Sequence, residues 1–552
     1  MESFIFERLY NPVNMSIIGA ILMILIMLKQ IHIMQLNSYN LDQQIIWYKK
    51  NTKLLAMHYV LFFSTIILPL IIAIAAFDMR KIVSLAGMLL LLIFYPILLL
   101  IILIENLPRK QKKKLIFTNR IKRLIVINIL VYGFWFLLSF RSGDILVIVL
   151  FALMGVALCP LLNFVSFLIS LPIENALRHK FMNEARDILV KHDDLYVIGI
   201  TGSFGKTSVK YYLNSLLKNK YSVCMTPESF NTPMGATLTI KNDLRNIDDI
   251  FICEMGARRI GDIKEICDIV SPSACIITDV GDMHLDTFKN IENVKNTKFE
   301  LFDSVIGSDK VISKFDKIIL LNGDNELIRN KVSEYDISNK NIYFYGLDSD
   351  NDFYAKDISH NEDFMSFTLT SKNNLFSDVT FETRLLGKYS IKNLVASISF
   401  AMLLGVDEGS MKKTVANILP VPHRLQLLSN DKNNLIIDDA YNSNLNGAKN
   451  AVDALGTFKD YVKVIITPGM VELGDKQWYE NNVFAEYASS LVDYAIVVGN
   501  TNRDALKTGF EKNLNSENVI LIDKVEEAIF YARNNISGKK VILLENDLSD
   551  NY

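Results

Sequence analysis

Between residues 196 and 209 the chain reads YVIGITGSFGKTSV. Thr201-Gly202-Ser203-Phe204-Gly205-Lys206-Thr207 is a run of mostly small residues that opens directly into the helical pattern VKYYLNSLLK. Tyr196, Val197, Ile198 and Ile200 ahead of it make a buried strand. A loop in that setting leaves backbone N–H groups converging on one point with a helix N-terminus behind them, which is a cradle for phosphate. Lys206 is then placed to neutralise the outer phosphates, and the Thr207 hydroxyl to sit on Mg²⁺. The spacing departs from G-x-x-x-x-G-K-[ST] by one residue, because Ile200 stands at the first glycine position and Gly199 precedes it.

The elements that must position this loop follow from the pattern around it. Apolar strands alternate with helical segments from about 173 to 419, which argues for a doubly wound, P-loop-type parallel sheet whose ligands bind beyond the carboxyl ends of strands. The strand DDIFICEMGA ends on Glu254, and ACIITDVGDMH delivers Asp279 and then His284. A strand-end carboxylate is a suitable oxygen ligand for Mg²⁺ carried on ATP phosphates. The turn-rich segment TPESFNTPMG reads equally as a wall of the cleft, lined by Asn231 and Thr232, or as a connecting loop. Pro420-Val-Pro-His-Arg424 is a rigid entry to a further unit. There the runs LIIDDA, VKVIITPG, YAIVVG, NVILID and KKVILLEN indicate a second, smaller Rossmann-like α/β sheet. It has no G-x-G-x-x-G, so a separate dinucleotide site is not expected.

Length and composition bound the rest. The 552 residues allow three or four domains, and the 50% hydrophobic content, concentrated in the first third, is too high for a purely soluble enzyme. Five apolar runs, at 13–28, 54–77, 82–104, 124–140 and 144–171, approach or exceed the ~20 residues that cross a hydrocarbon core. Glu2 and Glu7 make the leading segment acidic, so the first run reads as a retained helix rather than a signal sequence. Lys29, Lys49, Lys50 and Lys53 after the first run, and the basic cluster from Arg109 to Arg123 after the third, place both connections in the cytoplasm. Five crossings then put the N-terminus outside and the nucleotide-binding part inside. No run carries Asp, Glu, Lys or Arg in its middle, which favours an anchor over a transporter. The net charge of −2 gives no general attraction to nucleic acid, and five cysteines without C-x-x-C spacing read as reduced, buried thiols.

Thr-Gly-Ser-x-Gly-Lys-Thr, then N-T-P-x-G, E-M-G-A, M-H-L-D and K-F-E-L-F, in that order, resembles the Mur ligase family, the ATP-dependent amide ligases of peptidoglycan precursor synthesis. The resemblance covers about 195–552 and is strongest to the branch that adds D-alanyl-D-alanine. It implies a central ATP-binding domain over 173–419 and a C-terminal domain over 420–552, while the apolar runs over 1–172 read as a membrane domain with about five helices in place of the family's UDP-sugar-binding domain. It also implies nucleotide contacts from Gly202, Ser203, Gly205, Lys206, Thr207 and Ser208, with Asn393 reading adenine and Asp439 and Tyr441 at the ribose. Tyr389-Ser390 stands where the family has a histidine-asparagine pair. Metal ligands would be Thr207, Glu254, His284 and Lys298, the last as a carbamate able to hold a second Mg²⁺. Lys206, Lys298, His284 and Arg424 would carry the catalysis, Arg424 reaching the transferred phosphate with its planar fork of donors. Asn231, Thr232, Asn442 and Glu472 would face the substrates, although Pro468-Gly469 replaces the family's Gly-Asp near the amine. The implied reaction is ADP-forming amide synthesis through an acyl phosphate, with ATP and Mg²⁺. Its carboxylate acceptor is either lipid-linked or a muramoyl peptide, and its amine donor is an amino acid or dipeptide. The apolar runs and the basic connections between them indicate the cytoplasmic membrane, multi-pass, with the catalytic domains in the cytosol. Two other readings stay open: a membrane-bound polymer ligase making a poly-γ-glutamate-like chain, and an ATP-driven transporter or membrane regulator.

Overall fold

The computed structural model describes residues 12–37, 39–75, 95–106, 114–140, 145–283, 285–308, 312, 314–335, 341–360, 364–372, 375–428, 431, 433–440, 444–471 and 473–546. The chain divides into two units, Met1–His179 and Lys180–Tyr552.

In the first unit the described parts of the apolar runs form helices, in which backbone N–H and C=O groups pair within the segment itself. The helices are Pro12–Leu36, Leu41–Lys50, Thr52–Ala75, Tyr95–Asn106, Asn119–Phe140 and Ile145–Val190. Among the described residues three segments are long and apolar enough to cross a membrane by length and composition, Gly19–Leu36, Asn119–Leu138 and Phe151–Val190. Shorter apolar helices, Leu55–Thr65 and Ile97–Asn106, fall in the second and third of the five runs, and residues 76–94 lie outside the described part. Met23, Ile26, Ile31, Leu61, Ile102, Val156 and Phe167 pack at the centre, while Leu130, Phe134 and Leu137 point outward. The helix Ile145–Val190 runs through both Pro160 and Pro172. Each proline removes one intrahelical hydrogen bond, which a long apolar helix tolerates.

The second unit contains two sheets. The first is built from β1 (Tyr196–Thr201), β2 (Val223–Met225), β3 (Ile250–Glu254), β4 (Ala274–Ile277), β5 (Ile319–Asn322), β6 (Ile342–Gly346), β7 (Phe353–His360), β8 (Met365–Ser371) and β9 (Val379–Thr383). Their order is β2-β3-β1-β4-β5-β6-β7-β8-β9. Neighbours from β2 through β7 are parallel, as the alternation of strands and helices predicts, but β7, β8 and β9 pair antiparallel, so the sheet is mixed rather than wholly parallel. The physical reason lies in the burial pattern. β1 is buried at all six positions, as a strand covered by helices on both faces must be, whereas β9 alternates buried and exposed and suits a hairpin edge. One apolar face of the sheet packs on the helices Lys206–Leu217 and Lys388–Leu403, the other on Asp262–Val270 and Ile291–Ile306.

The second sheet comprises β10 (Gln426–Leu427), β11 (Asn434–Asp439), β12 (Val462–Thr467), β13 (Tyr494–Val498), β14 (Val519–Ile522) and β15 (Lys540–Glu545), in the order β10-β11-β15-β12-β13-β14. The five apolar runs foreseen after Pro420 are β11 to β15, mutually parallel, with β10 added antiparallel at the edge. All five cysteines are buried and unpaired.

β3 carries Glu254 to the end of the first sheet, so its packing sets the position of that carboxylate. Ile252 is fully buried. Ile252→Ala is expected to cost about 2–5 kcal/mol through lost burial and the cavity left behind, read as a lower urea midpoint with an unchanged m value.

Candidate functional site

Parallel register brings the chemistry to one place. Ile200 of β1 pairs with Glu254 of β3 on one side and with Ile276 of β4 on the other, so the loop 202–205, Glu254 and residues 278–281 leave the sheet side by side. The loop takes its shape from the end of β4. Ser203 N donates to Asp279 O at 2.7 Å, Ser203 Oγ donates to Gly281 O at 3.1 Å, and the Thr278 hydroxyl donates to Phe204 O. Gly202 adopts φ +148°, and a Cβ there would lie 2.2 Å from Thr278 Oγ1 and 2.8 Å from Asp279 N. Gly205, at φ +80°, precedes the helix Lys206–Leu217, and a Cβ there would lie 2.7 Å from Asn393 Oδ1. Both glycines are therefore required by the conformation and by the space.

The Lys206 ammonium donates to Gly202 O at 2.7 Å and Ser203 O at 3.0 Å. Burial pushes it down to about 8; Glu254 and Asp279 hold it up, while Arg424 works against them. Arg424, from the segment entering the second sheet, therefore lies within electrostatic reach of the loop lysine. Thr207 Oγ1 donates to Glu254 Oε1 at 3.0 Å, and Asn231 Nδ2 reaches the same oxygen at 3.4 Å. Glu254 is 1% exposed. Lys298, on the helix Ile291–Ile306, is 3% exposed, and burial followed by the nearby Lys206 charge pushes it down to about 7. A substantial neutral fraction near pH 7 is what an amine needs to be nucleophilic. Asp279 is raised by burial and opposed by Lys392 and Asn325.

Thr232 caps the helix Pro233–Asn242, accepting from Gly235 N at 3.1 Å, while its neighbour Asn231 faces Glu254. Asn393 is buried against Gly205. Asp439 accepts from Leu425 N at 3.0 Å, and burial raises it to about 6. Ser208 is buried in the first turn of its helix. His284, Tyr441, Asn442 and Glu472 lie outside the described residues. Sequence reading missed Lys210, which is fully buried with Nζ 3.0 Å from Glu254 Oε2. The signal was its i+4 spacing from Lys206, which puts it one turn further along the same helix. It also missed the backbone on either side of Arg424, where His423 and Leu425 have φ +61° and +46°.

The comparisons with known proteins fall on this site. The Mur ligase middle domain matches residues 200–401, and the Mur ligase glutamate ligase domain matches 423–545. This chain belongs to the Mur ligase family. The UDP-N-acetylmuramoyl-tripeptide–D-alanyl-D-alanine ligase of Bacillus subtilis is 30% identical over 280 residues, which is 50% of this chain and 57% of that protein. The enzyme of the same name from Escherichia coli is 28% identical over 50% of this chain and 58% of its own. The chain thus spans a little over half the length of these relatives. The structure of MurF ligase from Thermotoga maritima in complex with ADP superposes with a TM-score of 0.57 at 26% identity, covering 67% of this chain and 80% of that one. MurF from Acinetobacter baumannii, at 21% identity and a TM-score of 0.58, shares the fold over 67% of this chain and 77% of its own.

Two consequences of this Mur ligase site are measurable. Gly202→Ala is expected to lose several kcal/mol of stability and at least tenfold in ADP affinity, since its Cβ meets backbone as well as the Thr278 hydroxyl; calorimetry and ADP titration check both. The second concerns pH. Lys298 binds its proton less tightly folded, at about 7, than at its usual 10.5, so the unfolded chain holds more protons between those values and this residue's contribution to stability rises with pH across them. Lys298→Met should therefore stabilise the fold most below pH 7, by on the order of a few kcal/mol, and the advantage should shrink toward pH 10 in chemical denaturation.

Proposed function

We propose that this Mur ligase is a membrane-anchored, ATP-dependent amide ligase working through an acyl phosphate on a peptidoglycan-precursor carboxylate. The observation that carries the reading is the convergence of the loop 202–205, Lys206, Thr207, Glu254, Lys298 and Arg424, within hydrogen-bonding or electrostatic reach of one another. The donors there fit Mg²⁺ with a nucleotide: a buried carboxylate and a hydroxyl are hard oxygen ligands, and among the described residues no group of three His, Cys, Asp or Glu could hold a metal alone. Mg²⁺ ordinarily takes one or two carboxylates plus phosphate oxygens. Thr207 and Glu254 would hold it, and when bound it supplies charge neutralisation to the phosphates.

In this reading the loop N–H groups and Lys206 hold the terminal phosphates of ATP. A substrate carboxylate oxygen attacks the γ-phosphorus, the bond to the β–γ bridging oxygen breaks, and ADP leaves. Arg424 faces the charge that spreads over the transferring group. The amine of the second substrate then attacks the acyl carbon, phosphate departs with the C–O bond pair, and the nitrogen gives up a proton. Lys298, buried and of lowered pKa, is the residue suited to carbamylation beside this centre. The names of the relatives support a muramoyl peptide as acceptor and a dipeptide such as D-alanyl-D-alanine as amine. The apolar helices of the first unit and the flanking lysines and arginines support an inner-membrane location with the catalytic unit in the cytosol and a lipid-linked acceptor within reach.

The test gives purified full-length protein ATP, Mg²⁺, membrane lipid extract, UDP-muramoyl tripeptide and D-alanyl-D-alanine, with products read by mass spectrometry. ADP and phosphate release matched by an amide product is expected, and Lys206→Ala should lower both together about a hundredfold or more. Phosphate release with no amide product, or full coupling in the Lys206→Ala protein, would remove the proposal.

A further inference from the structure

The reaction above makes no use of Lys210, yet this lysine is the most deeply buried cation of the site. Its side chain is 0% exposed, inside the helix that begins at Lys206, and an ammonium is kept in such a place only by a partner that repays its lost hydration. It has two. Nζ lies 3.0 Å from Glu254 Oε2 and donates to the Glu228 carbonyl. Glu228 has φ +40°, an unfavourable value for a residue with a side chain, and that turn belongs to the segment 226–231 that closes over the end of β3. Thr226 Oγ1 accepts from Glu254 N at 3.1 Å, and Gly256 N donates to Asn231 O at 2.7 Å. The segment that sequence could read either way is thus a brace holding Lys210 and Glu254 together.

The two carboxylate oxygens consequently have different surroundings. Oε2 lies 3.0 Å from the Lys210 ammonium, whereas Oε1 meets the Thr207 hydroxyl and the Asn231 amide. We infer that Lys210 is a positioning residue which occupies Glu254 Oε2 and leaves Oε1 as the single oxygen offered, with Thr207, to a divalent cation on a bound nucleotide. Glu254 then binds metal through one oxygen, in an orientation fixed before the metal arrives. The inference rests on the reading of the loop as a nucleotide site, but not on the reaction that follows.

The test uses full-length protein in detergent, with Mn²⁺ as the metal probe and ADP as the nucleotide. Electron paramagnetic resonance reports Mn²⁺ retained in the presence of ADP, and calorimetry reports ADP binding in EDTA. Lys210→Met is expected to weaken Mn²⁺ retention about tenfold or more, the usual cost of losing a group that orients a metal ligand, while ADP affinity in EDTA stays within about threefold of wild type. Glu254→Gln and the double variant Lys210→Met/Glu254→Gln should retain Mn²⁺ equally, because the lysine acts through the carboxylate. The double variant leaves neither a carboxylate nor an ammonium buried and unpaired, so it keeps the test open if Lys210→Met alone fails to fold, and wild-type Mn²⁺ retention in it would overturn the inference. Wild-type Mn²⁺ retention in Lys210→Met, an equal loss of ADP with and without metal, or losses that multiply in the double variant would each overturn the inference. A protein that shows the expected coupling but forms no amide bond would retain this inference and lose the proposed reaction.

Discussion

The phosphate loop has almost no side chain of its own with which to hold its shape, so its conformation is borrowed from the end of β4. Ser203 is bonded through backbone and hydroxyl to Asp279 and Gly281, and Thr278 reaches back to Phe204 and, at 3.2 Å, to Thr201 O. This only works because β1 and β4 are adjacent and parallel, which brings their carboxyl ends out together. It also explains why the glycine spacing can depart from the commoner phosphate-loop pattern. The strained position is Gly202, where no Cβ fits, and a glycine at position 200 would sit within a fully buried strand and add nothing to the turn.

A second constraint is electrostatic. Lys206, Lys210, Lys298 and Arg424 gather near Glu254 and Asp279, largely out of water, and burial holds both Lys206 and Lys298 well below the usual lysine range. Such an assembly opposes folding, because each buried charge forfeits hydration that its neighbours only partly replace. The same donors and charges, fixed in advance in a poorly solvated cleft, are what stabilise a polyanion without reorganisation. The large apolar cores on both faces of the first sheet offset the cost, with Tyr196, Phe251, Phe299, Phe353, Phe367 and Phe400 all fully buried.

Sequence carried the loop, its strand, its helix and the Glu254 strand end, because these follow from local periodicity and from residue types with few alternative uses. It also carried all five parallel strands of the second sheet. What it could not carry depends on tertiary neighbours. The antiparallel β7 to β9 extension is a matter of which strand finds which edge, and the passage of one helix through Pro160 and Pro172 depends on packing against other apolar helices. Lys210 shows the limit most clearly, since on its own it reads as a solvated helix lysine. Only the pairing of β1 with β3 brings Glu254 beside that helix and turns an ordinary residue into a buried ion pair. Thr232 carries a further local role, because a threonine before Pro-Met-Gly is also placed to cap a helix, as it does here.

The segment joining the two sheets of the second unit adds a last step. Arg424 sits between two non-glycine residues in the left-handed region, each costing about 1–2 kcal/mol in an L-amino acid. The backbone is held there by Asp439 accepting from Leu425 N and by Asp438 Oδ2 lying 2.7 Å from His423 Nδ1, both from the end of β11. Strain of this kind persists only where surrounding bonds over-determine it, and here it flanks an arginine that lies within electrostatic reach of Lys206. Further along the second sheet's surface, Lys476 meets Asp282 at 2.9 Å, but both side chains are exposed, and an exposed pair contributes ~1 kcal/mol at most. The bonds of His423 and Leu425 therefore hold the backbone around Arg424 to its own sheet, and apolar contact of Leu386 with the core of the second sheet joins the Lys476–Asp282 pair in bridging the two sheets. The loop 202–205 and the backbone around Arg424 are thus each held by their own sheet's bonds, so the donors that a bound nucleotide would meet are fixed in advance.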